Sequence, residues 1–281
     1  MRLAEPLDQA TGLRRLFAST PNFHSVGVLG PDARRNARAC TALAQGLGRR
    51  GNRVLVLDEG RPPYNVGGMM GVLARRTLAD VPRIPLGDAT VAAAEGVHLL
   101  PAPDGMDALA SLSEQTLLDI TEHWSGDPPE WMLLNSASVA NGGGLASTAE
   151  IRVLVLPGDK NWLAEAYAVI KSGQAAGSTG RWAVLVEGAE NDSAQRLYNS
   201  LRTTTQRFLG LSLAYLGCLP RQLDGLEQDD TYYTTELAES LYSVQSENPM
   251  NFEQYWQRLW LFSRTTLDAN IHLKHAGRRT R

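Results

Sequence analysis

The stretch Val26–Leu47 reads VGVLGPDARRNARACTALAQGL. An apolar run ends at Gly30, and beyond it Ala, Leu and Cys recur at helical spacing. A strand that turns through glycine into a helix is where an α/β protein holds an anion. The first amides of the helix lack partners of their own and point into the turn. Here, however, the turn carries one glycine, a proline, an acid and two arginines, and no lysine.

The same alternation extends along the chain. Short apolar runs lie at 25–29, 53–58, 97–103, 131–137, 151–157, 181–187 and 213–220. Helical patterns lie between them, at about 34–50, 107–124, 162–177 and 193–210. The runs are continuous rather than alternating and rich in Val and Leu, as strands buried on both faces are. Strand–helix alternation implies right-handed crossovers. The expected fold is therefore α/β, a mostly parallel twisted sheet with helices on both faces, whose ligands bind at the carboxyl ends of the strands. After Pro220 the pattern changes. A polar, acidic stretch, Gln222–Asp230, leads into two helical segments at 233–245 and 251–267. The chain divides into an N-terminal helix (1–20), an α/β domain (21–221) and a helical C-terminal extension with a basic tail (222–281).

The 281 residues are 43% hydrophobic and 20% charged, with a net charge of −3. That is an ordinary globular composition and excludes the chain as a whole from binding nucleic acid by charge. Basic clusters at Arg34–Arg38, Arg49–Arg53 and Lys274–Arg281 read as solvated faces or a tail. Cys40 and Cys218 lie far apart, as reduced thiols of a cytoplasmic protein do, and Cys40 reads as a small apolar residue on a buried helix face. The N-terminus shows no apolar signal core. No run approaches the roughly 18–20 residues that span a bilayer. Of the five histidines only His272 and His275 are close together, with no Cys or acid at ligand spacing, so no metal site is expected.

The order of these elements resembles the MinD/ParA family of P-loop ATPases. The second strand is followed by RPPYNVGGMMGV, and Asp58, Asn65 and Met69-Met70-Gly71 fall where that family has its Asp-x-Asp, its Asn and its Leu-Leu-Gly. Two further segments are similar to the FlhG (FleN) group of flagellar-number regulators within the family. These are DQATGLRRLF at 8–17, like the group's Asp-Gln-Ala-x-x-Leu-Arg motif, and RFLGLSLAYLGCLP at 207–220. AEAYAVIK (164–171) resembles the family's helix after its fifth strand. The resemblance is collinear over about residues 7–220.

It implies an ATP and Mg²⁺ site, and at that site the chain departs from the family. Counting back from Asp58, the family's Lys-Gly-Gly-x-Gly-Lys-Thr, which follows Gly30 here, falls on Pro31, Asp32, Ala33, Arg34, Arg35, Asn36 and Ala37. Such a loop needs glycines for close approach of backbone N–H groups, a lysine on the phosphates and a hydroxyl on Mg²⁺. Asn36 stands at the lysine, and Ala37 has no oxygen to offer. Asp32 repels phosphate, since like charges about 4 Å apart in a partly buried site cost several kcal/mol. Gly60 replaces the second Asp of Asp-x-Asp, Asn135 the Asp at the end of the fourth run, and Glu187 the Asn that reads adenine. No cofactor is expected on this count. Asp58 reads as an acid capping the loop after its strand. Arg34 and Arg35 leave open an anion at the helix N-terminus.

Asp8 is a good N-cap, and Leu13, Leu16 and Phe17 form an apolar stripe. The resemblance implies that this helix engages the GTPase FlhF and stimulates its hydrolysis, with Gln9 orienting the attacking water, Ala10 within the motif and Arg14 pairing with an acid. The alternative is a helix packed on its own domain. In the C-terminal segment Phe252, Tyr255, Trp256, Leu259 and Trp260 share one face. They suit a membrane interface or the domain's own core. Two functions remain open. One is a non-catalytic, FlhG-like regulator of flagellar number or placement, with FlhF, basal-body or transcriptional-activator proteins as partners, at the inner face of the membrane or the cell pole. It would lack the family's ATP switch, and the sequence leaves open whether it forms a homodimer without nucleotide. The other is an ATPase that uses arginine in place of lysine to position a polar machine.

Overall fold

The computed structural model describes residues 23–122, 127–136, 144–159, 162–175, 180–220, 231–245 and 250–278. The motif at 8–17 and the acidic stretch 222–230 lie outside them. The seven apolar runs form β1 (His24–Leu29), β2 (Val54–Asp58), β4 (Val97–Pro101), β5 (Trp131–Asn135), β6 (Ile151–Pro157), β7 (Arg181–Glu187) and β8 (Leu213–Leu219). The additional strand β3 (Val91–Ala94) escapes a reading by periodicity because it is short, alanine-rich and bulged. The eight strands lie in the order β3-β4-β2-β5-β1-β6-β7-β8. All neighbours run parallel except β3, which is antiparallel to β4 and forms one edge. β1, β2, β5 and β6 are buried at every position, as their continuous apolar pattern requires.

The helices are α1 (Ala33–Arg49), α2 (Val66–Met69), α3 (Leu86–Ala89), α4 (Gly105–Ala110), α5 (Glu114–Glu122), α6 (Leu163–Ala175), α7 (Asn191–Leu209), α8 (Thr231–Val244) and α9 (Phe252–Arg278). The single helix expected over 107–124 is two. The hydroxyl of Ser113 accepts from the Thr116 amide at 3.1 Å and starts α5 afresh. Gly210, at φ +66°, ends α7.

Two apolar clusters cover the two faces of the sheet. On one face Leu43 and Leu47 of α1 meet Leu237, Ala238 and Leu241 of α8. Cys40 is fully buried in this cluster, and desolvation first, then the charge of Asp58, pushes its thiol well above the usual range. The two helices touch so closely that a Cβ at Gly46 would stand 2.1 Å from the Thr234 carbonyl oxygen. On the other face α4–α7 and α9 pack around Leu109, Ile170, Leu201 and Leu259.

The aromatic stripe of α9 turns inward rather than toward a membrane. Tyr255, Trp256 and Leu259 are at most 1% exposed, and Phe252 is 8% exposed. The Phe23 ring lies 5.5 Å from Phe252 and 5.4 Å from Tyr255. Tyr255 shares a 3.0 Å hydrogen bond with Thr148, and the Trp260 indole donates to the Leu112 carbonyl at 3.0 Å. The five residues considered for a lipid interface are thus committed to the domain's own core. Burying each large apolar side chain contributes roughly 1.5–3 kcal/mol, more than a marginal domain gives up to expose them. Among the described residues no helix is long and apolar enough to cross a membrane. Trp256→Ala is expected to destabilise the chain by about 3–5 kcal/mol, read as a lowered urea midpoint at unchanged slope.

Candidate functional site

β1 delivers the chain to Gly30, and α1 begins three residues later. A Cβ at Gly30 would stand 2.6 Å from the Val155 carbonyl oxygen, so only glycine fits here. Asp32 is the N-cap of α1, and its Oδ1 accepts from the amides of Arg34 at 3.0 Å and Arg35 at 3.2 Å. The anion at this helix N-terminus is the chain's own carboxylate. Asn36 is buried, and its side-chain nitrogen donates to the Gly30 carbonyl at 3.0 Å and the Ser136 carbonyl at 3.4 Å. Ala37 is fully buried beside it. Pro31 is half-buried and Arg34 is exposed.

Arg35 turns back across the strand ends. Its guanidinium meets Asp159 at 2.8 Å, Glu187 at 2.9 Å and Asp32 at 3.6 Å, and donates to the Glu187 carbonyl at 3.1 Å. Arg38, one turn on, holds the other oxygen of Glu187 and donates to the Pro220 carbonyl at 2.8 Å. The cluster thus joins α1 to β7, to the turn after β6 and to the end of β8. Among the described residues two arginines face three acids, a sum of −1. Arg38, expected with Arg34 on a solvated face, is instead largely buried and paired with Glu187, and Asp159 is a further member of the cluster. The spacing of Arg35 and Arg38 places both on one helix face, which was the available signal; nothing local marks Asp159.

On the other side of β1, Asp58 ends β2 opposite Asn135 of β5. Its Oδ1 accepts from the Gly60 amide at 2.9 Å and the Asn135 side chain at 2.8 Å. Its Oδ2 accepts from the amides of Val66 at 2.7 Å and Gly67 at 3.4 Å. This carboxylate organises a loop. Burial raises its pKa, while the hydrogen bonds from Asn135, Gly60, Val66 and Gly67 act the other way. Asn65 caps α2, with its side chain accepting from the Gly68 amide. A Cβ at Gly60 would lie 2.8 Å from Asp58 Oδ1 and 3.0 Å from the Tyr64 carbonyl oxygen, so this backbone has no room for a second aspartate. Glu59 is a further acid that the sequence reading passed over. Its carboxyl lies under Gly144, burial pushes its pKa up to about 8, and the Leu145 amide works against that shift.

At this end of the sheet many of the polar groups are engaged with one another, while the side-chain oxygens of Asn36 and Asn135 are buried without a hydrogen-bond partner among the described residues. The amides of Arg34 and Arg35 are taken, the guanidinium groups are paired, and no hydroxyl stands at position 37. Among the described residues no group of three or more His, Cys, Asp and Glu could hold a metal ion.

No family model matches the sequence. The antiactivator FleN of Pseudomonas aeruginosa is 30% identical over 186 residues, which are 63% of this chain and 66% of that protein. The chain thus spans just under two thirds of the length of this relative. Among solved structures, the MinD cell division protein of Aquifex aeolicus matches 81% of this chain and 100% of its own, with a TM-score of 0.57 at 16% identity. A MinC:MinD complex from the same organism gives 0.59 at 15% identity, over 81% of this chain and 99% of its own. A plasmid partition protein from Borrelia burgdorferi gives 0.55 at 9% identity, over 79% and 99%. The solved structures establish the shared fold.

Glu187→Ala leaves two guanidinium groups facing each other without their common partner. It is expected to cost about 3–5 kcal/mol of stability, measured by denaturant unfolding, and additional Arg35→Ala should cost less than it does in the wild type.

Proposed function

We propose that the chain is a FleN-like member of the MinD/ParA family, and a non-catalytic regulator of flagellar number or placement that acts through protein contacts. The observation that carries this reading is the self-contained ion-pair cluster at the carboxyl end of the sheet. Asp32 sits on the amides of α1 that would meet phosphate, and Arg35 and Arg38 are spent on Glu187 and Asp159. A triphosphate would have to displace Asp32 and enter a cluster whose own charges sum to −1. It would find no lysine at position 36 and no hydroxyl at position 37. Each of these opposes the charge stabilisation on which phosphoryl transfer depends.

The second reading, an ATPase that uses arginine for lysine, loses its best candidate because Arg35 is already held by three carboxylates. A planar guanidinium so engaged does not substitute for a compact, mobile ammonium. Isothermal titration with ATP and Mg²⁺ is expected to show no binding at millimolar nucleotide and no change in oligomeric state. Micromolar affinity would overturn the proposal.

FleN is described as an antiactivator, which supports a protein partner for this chain, a transcriptional activator among them. The motif DQATGLRRLF adds an FlhF-like GTPase, with Gln9 directed at its hydrolytic water and Arg14 at an acid. The site of action is the cytoplasm, at the cell pole. A peptide of residues 1–20 is expected to accelerate GTP hydrolysis by the cognate FlhF; an unchanged rate with binding confirmed would sink the FlhF assignment and leave the nucleotide-free reading standing.

A further inference from the structure

Between β2 and β3 the chain makes a long excursion across the surface, Arg61–Leu86, with no strand of its own and two one-turn helices. Its inner side is anchored: Asp58 holds the amides of Val66 and Gly67, and Val66 and Leu78 are fully buried. Its outer side presents large apolar side chains to solvent. Leu73 is 85% exposed and Tyr64 is 50% exposed, with Met69, Met70 and Val72 half-buried beside them in sequence. Gly71, at φ +67° with open space around it, turns the chain so that Leu73 projects. An exposed leucine on its own needs no explanation. An exposed leucine and tyrosine on an ordered excursion that also carries uncompensated charge do.

The excursion holds four arginines, at 61, 75, 76 and 83, against one acid, Asp80. All four arginines are exposed. Arg61 pairs with Asp104 at 2.6 Å and Arg76 with Asp80 at 3.8 Å. Both pairs are open to water and so exchange readily for other carboxylates. Arg75 and Arg83 make no ion pair among the described residues. The excursion ends on a cleft of about 360 Å³ lined by Val81, Arg83, Ile84, Leu86, Asp119 and Ile120, a recess of mixed polarity with one basic and one acidic group in its wall.

We propose that this excursion is a docking surface for an acidic polypeptide segment that carries one or two large apolar anchors. The apolar groups supply the burial, and the arginines select carboxylates and set the register, as at other interfaces where arginine and tyrosine carry the contact. None of the side chains assigned to this surface belongs to the ion-pair cluster of Arg35 and Glu187.

The test is selection of a random 16-residue peptide library, displayed on phage, against the immobilised full chain, with Leu73→Glu and the pair Arg75→Glu, Arg76→Glu as counter-targets. These side chains are exposed, so the variants should melt within about 2 °C of the wild type, consistent with surface substitutions of at most about 0.5 kcal/mol. Enriched peptides are expected to combine Asp or Glu with Leu, Phe or Trp, and to bind each variant at least tenfold more weakly by fluorescence anisotropy. Peptides without an acidic bias, or binding both variants as tightly as the wild type, would overturn the assignment. So would phosphatidylglycerol vesicles that bind the wild type, lose binding in both variants and displace the selected peptides, since the surface would then be a lipid site.

Discussion

The carboxylate of Glu187, gripped by Arg35 from one side and Arg38 from the other, closes the end of the sheet where a ligand would enter. It ties the first helix of the fold to the last residue of β7, and through Arg38 to the end of β8. Half-buried charges are costly to desolvate unless each finds a partner. This cluster meets that condition internally, with Asp159 and Asp32 completing the coordination of Arg35. The cluster is a structural clamp between α1, the ends of β7 and β8, and the turn after β6.

Asp58 performs a comparable service at the end of β2, two strands from β1. Four donors converge on it, from Gly60, Val66, Gly67 and Asn135. They hold the excursion after β2 against the sheet at a place where the sheet itself offers no hydrogen bonds. Gly60 is needed because a Cβ there would stand 2.8 Å from Asp58 Oδ1 and 3.0 Å from the Tyr64 carbonyl oxygen. The loop so held carries Tyr64 and Leu73 outward. The cost of burying Asp58, visible in its raised pKa, is offset by those donors.

The C-terminal extension shows the limit of reading a stripe. Phe252, Tyr255, Trp256, Leu259 and Trp260 make one amphipathic face, and the period is the same for a helix on a bilayer and a helix on a core. Only the presence of Phe23, Thr148 and Leu112 at the right distances decides for the core. These partners are separated from α9 by more than a hundred residues, so no local window contains them.

The sequence alone determined the alternation of buried strands and helices, because continuous Val- and Leu-rich runs have one cheap solution, a parallel sheet covered on both sides. It also determined that the loop after β1 carries no lysine, and that Asn36 and Ala37 stand at the start of its helix. β3, the break at Ser113 and the length of α9 were not legible, because an alanine-rich edge and a side-chain cap leave no periodic trace. The partners of Arg35 and Arg38 were not legible either. Asp159 and Glu187 lie more than 120 residues from them in sequence, and proximity across a sheet is set by strand order, which only the tertiary structure decides. Composition could say that phosphate-binding groups are missing. That the remaining charges neutralise one another, and what Asp32 does with the amides of α1, required three-dimensional distances, because electrostatic energy depends on separation and burial rather than on order along the chain.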